Sequence, residues 1–164
     1  MSTSNENLAA AFAGESQANR KYLAFAEKAD KEGYGAVAKL FRAAAAAETI
    51  HAHAHLRAMK GVGTTEENLK AAISGETFEF ESMYPPMIET AIAEGHKQAE
   101  RSFRFANEVE KVHADLYAKA LENIEKGGNP DYHVCSVCGH TIDGTTTERC
   151  PVCGADPKAF FKVD

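Results

Sequence analysis

No apolar run in this sequence approaches the ~20 residues that a membrane-spanning helix needs, which excludes a helical membrane protein. The opening residues, Met1-Ser2-Thr3-Ser4-Asn5-Glu6, hold neither a basic stretch nor an apolar one. No secretory signal is expected, and a cytoplasmic location follows as the default. There is no surplus of positive charge. The net charge of -6 argues against non-specific binding to nucleic acid. Tryptophan is absent. Cysteine is absent from the first 134 residues, and all four cysteines fall between positions 135 and 153. In a cytosolic chain such clustering points to metal rather than to disulfides. Proline is scarce, and of the five only Pro85 and Pro86 interrupt a helical pattern.

What is present is a soluble-protein composition, 44% apolar and 26% charged, over 164 residues. That length allows one good core, or one core with a small appendage. Within it, two stretches spell the same pattern 62 positions apart. The first is Glu32-Gly33, Phe41-Arg42, Glu48 and His51; the second is Glu94-Gly95, Phe103-Arg104, Glu110 and His113. Tyr22 and Tyr84 obey the same offset. The pattern indicates an internal duplication of a helix pair. Each half carries one Glu-x-x-His, the side-chain set with which helix bundles hold two metal ions.

Apolar periodicity predicts a helix over 4–32 and a second over about 35–59, ended by Gly61-Val62-Gly63. Thr64 with Glu67 fits a capping box for a short helix stopping near Ser74-Gly75. A third long helix holds Glu76, Glu79, Phe80, Met83 and Met87, with a kink or a lost hydrogen bond expected at Pro85 and Pro86. The last helix runs from Gly95 to Lys126. Roughly fifteen residues separate helices two and three, which suits a bundle with one long crossover, the ferritin-like class. Gly127-Gly128-Asn129-Pro130 breaks the helical pattern and marks a boundary between domains 1–129 and 130–164.

Glu15, Glu48, His51, Glu110 and His113 fall on the apolar stripes of their helices. Unpaired carboxylates in a core are costly, and divalent cations remove that cost. Glu and His donors suit iron or manganese. Glu15 supplies a further carboxylate in the first half; Glu76 with Glu79 does so in the second. The duplication places the mate of Glu15 at position 77. Glu76 misses by one residue, so the distance to the matched tyrosine grows from seven to eight. A local helix irregularity near the prolines would absorb that slip. Tyr22 and Tyr84 are placed to hydrogen-bond the carboxylates from outside the ligand set. His53 and His55 read as non-ligands, and His96, His133 and His140 carry no paired signal.

Cys135-x-x-Cys138-Gly139 and Cys150-x-x-Cys153-Gly154, eleven residues apart, form two knuckles. A segment of some 35 residues has too little core to fold unaided, so metal-dependent folding is expected. The spacing alone leaves zinc and iron open, since tetrahedral four-thiolate sites take either. A redox-active bundle beside the module favours iron.

In these motifs the sequence resembles the rubrerythrin family from end to end. Residues 1–129 resemble its di-iron four-helix bundle and 130–164 its rubredoxin-like domain. The resemblance implies an all-α ferritin-like bundle plus a small metal-stabilised β/loop domain. It implies two irons held by Glu15, Glu48, His51, Glu76, Glu79, Glu110 and His113, with Glu48 and Glu110 bridging. It implies one iron on Cys135, Cys138, Cys150 and Cys153. The first iron is expected to exchange His51 for Glu79 on oxidation, which gives those two residues, with Tyr22 and Tyr84, catalytic roles. The implied activity is reduction of hydrogen peroxide to water, with electrons arriving from NAD(P)H through a donor reductase or rubredoxin. The alternative is ferroxidase or iron handling, against which the cysteine module argues, since storage needs no electron inlet. The family's cysteine module often carries a Trp; here Tyr132 is expected to replace it. Because the linker is short and stiffened by Pro130, folding the module back beside its own chain's site looks awkward. The expectation is therefore a head-to-tail homodimer in which the cysteine iron of one chain feeds the other chain's di-iron site.

Overall fold

The computed structural model describes residues 2–163, which divide into two compact units, the first ending at Gly63 and the second starting at Thr64. The first is a hairpin of α1 (Ser4–Lys31) and α2 (Gly35–Ala58). Thr3 opens α1 with a capping box, its side chain accepting the Glu6 N–H while Glu6 accepts the Thr3 N–H at 2.6 Å. Alanines line the seam of the hairpin. Ala26 and Ala29 on α1 and Ala38, Ala45 and Ala52 on α2 are all buried, so the backbones can approach closely. Asn19 crosses that seam, donating to the Ala45 carbonyl at 2.7 Å and to Thr49 Oγ1 at 2.8 Å. The run Ala43–Ala47 therefore does more than favour helix: its central member is a contact point.

The duplicated Glu-Gly is a helix stop. Gly33 has φ +84 and Gly95 φ +69, a left-handed conformation that suits glycine at the end of a helix. The next N–H closes the cap in both copies: Tyr34 to the Ala29 carbonyl at 2.8 Å, His96 to the Ala91 carbonyl at 2.9 Å. The duplicated Phe packs on the duplicated Tyr, with ring centroids 6.2 Å apart for Tyr22–Phe41 and 6.2 Å for Tyr84–Phe103.

The second unit opens with α3 (Thr65–Phe78), capped by Thr64 and Glu67 as expected. Gly75 does not stop it. The helical run passes directly into a π-helical segment, Glu79–Met83, and then α4 (Tyr84–Ala93), so most of the expected crossover is helix. α5 (Lys97–Glu122) runs back along both α3 and α4. Its N-cap is His96, whose Nδ1 accepts the Ala99 N–H at 3.2 Å, a role the sequence reading missed. Another departure is the end of α2. The left-handed residue there is Lys60 (φ 58), not Gly61.

The π segment is the irregularity that the slip between Glu76 and Tyr84 required. Tyr84 N–H reaches the Glu79 carbonyl, and Pro85 and Pro86, which have no N–H to give, sit at the first positions of α4. One extra residue is absorbed there, so Glu76 and Tyr84 keep the relative phase that Glu15 and Tyr22 have with one residue fewer.

The same unit ends in an antiparallel sheet of order β2-β1-β3: β1 (Tyr132–Cys135), β2 (Thr141–Asp143) and β3 (Phe160–Lys162). Val134 pairs with Thr141 on one side and Phe161 on the other. The expected all-helical body with a small C-terminal β/loop element is what the chain adopts.

Candidate metal centres

Among the described residues, three side-chain clusters gather metal-binding atoms, each set within 4.8 Å of one another. They are Glu15, Glu48 and His51 in the first unit, Glu76, Glu110 and His113 in the second, and the four cysteines, also in the second.

The two carboxylate–histidine triads are built alike. In each, histidine Nδ1 faces the glutamate one turn earlier on its own helix: His51 to Glu48 Oε2 at 2.9 Å, His113 to Glu110 Oε2 at 2.8 Å. Glu76 Oε1 lies 3.8 Å from His113 Nδ1 as well. Thr141 Oγ1 stands 3.1 Å from the Gly139 carbonyl and 3.0 Å from His113 Nε2. In the tautomer with its proton on Nε2, the His113 ring aims the Nδ1 lone pair at two carboxylates. In that tautomer acceptors face acceptors in a partly buried cluster, an arrangement that suits a cation between them.

The electrostatics agree. Burial, and then the Glu110 charge, raise the Glu76 carboxyl above its ordinary range. Burial, and then Glu76, raise Glu79. Burial and the charges of Glu110, Glu79 and Glu76 raise the Tyr84 phenol, which stays protonated. Glu79 thus feels the triad without belonging to its closest cluster; it heads the π segment. Tyr22 contacts the rings of Phe25 and Phe41. Of the other histidines, His53 is exposed and His140 is buried edge-on against Phe160.

The cysteine knuckles are likewise two copies of one turn. Gly139 N–H donates to the Cys135 carbonyl and Gly154 N–H to the Cys150 carbonyl, both at 2.8 Å, with φ of +85 and +73. Val137 and Cys138 N–H groups point at the Cys135 sulfur, which they help hold below its ordinary pKa against the opposing effect of burial. Burial drives the Cys138 thiol far up. Sulfur pairs Cys135–Cys153 and Cys138–Cys150 stand 3.7 and 3.5 Å apart. A disulfide needs ~2.05 Å. A tetrahedral ion with bonds to sulfur of ~2.3 Å sets edges of ~3.8 Å, so the four thiols fit one metal ion.

Two family models cover almost the whole chain: "Rubrerythrin" over residues 6–121 and "Rubrerythrin, rubredoxin-like domain" over 133–161. The chain belongs to the rubrerythrin family. Rubrerythrin-2 of Clostridium acetobutylicum is 35% identical over 93% of this chain and 92% of its own length. Nigerythrin of Nitratidesulfovibrio vulgaris is 37% identical over 90% of this chain and 80% of its own. Among solved structures, the fully reduced, all-ferrous state of nigerythrin aligns with a TM-score of 0.61 at 33% identity, covering 99% of this chain and 88% of that one. The rubrerythrin family is one of oxidoreductases, and the metal-binding triads and four-cysteine site of this chain accord with that membership. Among the described residues, no helix is long and apolar enough to cross a membrane.

The position of the cysteine module also differs from the sequence reading. The cysteine module does fold back onto its own chain. Gly127, Gly128 and Pro130 line one cavity together with Lys119, Ala120 and Asn123 of α5. Gly139, at the first knuckle, lies against the buried Val109, a turn before His113, and Thr141 bonds His113 directly. Tyr132 joins Leu69, Leu116, Tyr117 and Ala120 in lining a cavity of about 320 Å³ beside His113. No sequence signal marks Thr141, one of many threonines and 28 positions from its partner.

Proposed function

We propose that the chain is a non-haem di-iron peroxidase. It would reduce hydrogen peroxide to two waters with two electrons and two protons, the electrons entering through a single iron on Cys135, Cys138, Cys150 and Cys153. The observation that carries this reading is the company of the sites: two matching carboxylate–histidine triads, and a four-thiolate cluster packed on the helix that carries one of them. Iron storage or ferroxidase activity alone gives that cluster no task. The irons would supply the electrons at the carboxylate site and the one-electron relay at the thiolates.

The chain's own residues do the rest. Glu48 and Glu110 would bridge two ions, with Glu15, His51, Glu76 and His113 completing their shells. Glu79, beside the Glu76 triad, is the added carboxylate that would exchange with His51 as the charge of the site changes. Tyr84 keeps its proton among three carboxylates and can give a hydrogen bond toward them. Tyr22 would do the same in the other half. The 1–129 and 130–164 parts would act as catalytic body and electron inlet. Reduction would come from NAD(P)H through a reductase or rubredoxin in the cytoplasm. The chain would act as a homodimer. The test is iron-loaded protein mixed with hydrogen peroxide and a reductase. NAD(P)H-driven peroxide loss supports the reading; iron uptake without peroxide turnover rejects it.

A further inference from the structure

Histidines alternate with alanines along α2, at positions 51, 53 and 55. His53 is exposed and lies off the face of the triad, whereas His55, four residues after His51, lies on it. Cβ atoms at that spacing stand ~5–6 Å apart, and a helical side chain leans back over the turn before it. The half-buried His55 ring therefore lies over the turn that carries His51. His51 turns Nδ1 to Glu48 Oε2 at 2.9 Å, and its side chain is 56% exposed, so Nε2 stands at the open edge of the first triad. Two histidines four apart on one helix face are a metal-binding pair.

The other half of the repeat has no such pair. Its histidine is better covered: the His113 side chain is 28% exposed, and Thr141 Oγ1 stands 3.0 Å from its Nε2. The mate of His55 at the 62-residue offset is Tyr117, which lines the cavity beside His113. The two triads match in their ligands and differ in their openness.

We propose that His51 and His55 form a capture site for a divalent first-row transition metal ion, such as ferrous iron, from which the ion passes into the triad of Glu15, Glu48 and His51. Imidazole suits such ions but supplies no charge, so two imidazoles and water hold one loosely. Glu15 and Glu48 gather with the same His51 ring, Glu48 at its Nδ1, and neutralise the charge of the ion, so transfer inward is downhill. Metal–ligand bonds alone change, and no electron moves. The second triad lacks this inlet, so the first fills faster when metal is limiting. The capture role concerns loading and stands whatever reaction the filled site performs.

The test has two arms, both on the full chain with zinc held on the cysteines. The first uses the Glu110→Gln chain, in which the first triad alone is complete. It is mixed rapidly with substoichiometric Co(II), and the visible bands of the carboxylate–histidine complex are followed. His55→Tyr, which installs the residue of the other half, is expected to slow their appearance by about 10-fold and leave the final intensity unchanged. An unchanged rate would overturn the capture role. A final intensity that falls with the rate would make His55 part of the triad itself and would overturn it too. The second arm titrates Ni(II) calorimetrically into the Glu48→Gln, Glu110→Gln chain, where neither triad is complete. Binding is expected to persist with His53→Ala and to be lost with His55→Tyr or His55→Gln. Binding that survives both His55 changes, in chains shown by circular dichroism to be folded, would overturn the site. Equal loss with His53→Ala would overturn it as well.

Discussion

Tyr84 N–H bonds to the Glu79 carbonyl five residues back, where an α-helix would reach back four. That single π turn sets the phase between the carboxylates before it and the tyrosine after it. Deleting Ser82, an exposed residue inside the segment, should restore α-helical bonding and rotate Glu76 and Glu79 by ~100° relative to Tyr84 and the rest of α4. The expected result is an unchanged helix content by circular dichroism with loss of Co(II) binding at the Glu76–Glu110–His113 triad. Full retention of that binding would show that the extra residue has no part in building the site.

Glu79→Ala should leave metal content unchanged, because Glu79 stands outside the closest ligand cluster. Peroxide turnover should nonetheless fall by about 10- to 100-fold, as it does when a group supporting a metal site is removed. Metal analysis beside steady-state peroxide consumption checks both halves.

Lys60 holds φ 58 at the end of α2, a conformation costly for a side chain and free for glycine. Lys60→Gly is expected to raise the stability of the metal-free chain by about 0.5–1 kcal/mol, read from denaturant midpoints. A lower midpoint would mean that Lys60 contributes something its backbone strain does not reveal.

Glu76 and Glu79 in the metal-free chain have pKa values raised above the ordinary 4.5. The folded state thus binds their protons more tightly than the unfolded state. Their stabilising contribution is full below pH 4.5 and is lost as pH rises through the raised values. The double variant Glu76→Gln, Glu79→Gln carries no such loss. Metal-free, it should gain stability relative to wild type between pH 4 and 7, a gain that bound metal abolishes. A difference that does not vary with pH would contradict the electrostatic account.

Much of this was legible in the sequence because a duplication checks itself. Each Glu-x-x-His, each Glu-Gly stop and each Tyr–Phe contact occurs twice, so a chance match in one copy is exposed by the other. Even the fault in the repeat was informative: the one-residue slip at Glu76 required a helical irregularity, and the π segment supplies it. The features that escaped were decided by longer-range packing. Gly75 reads as a stop, yet packing against α5 carries the helix through it. Gly61-Val62-Gly63 reads as the end of α2, yet the left-handed residue there is Lys60. Thr141 meets His113 only because the linker turns the cysteine module back onto α5, which no local periodicity encodes.

The central claim is that electrons reach the carboxylate site through iron on the four cysteines. Replacing that iron with zinc while leaving iron in the triads tests it most directly, with metal occupancy confirmed by elemental analysis and the fold by circular dichroism. Zinc has the tetrahedral thiolate geometry and no redox chemistry. Reductase-driven peroxide turnover is expected to fall to background, while chemically reduced protein still consumes peroxide in a single turnover. Undiminished reductase-driven turnover with zinc on Cys135, Cys138, Cys150 and Cys153 would contradict it.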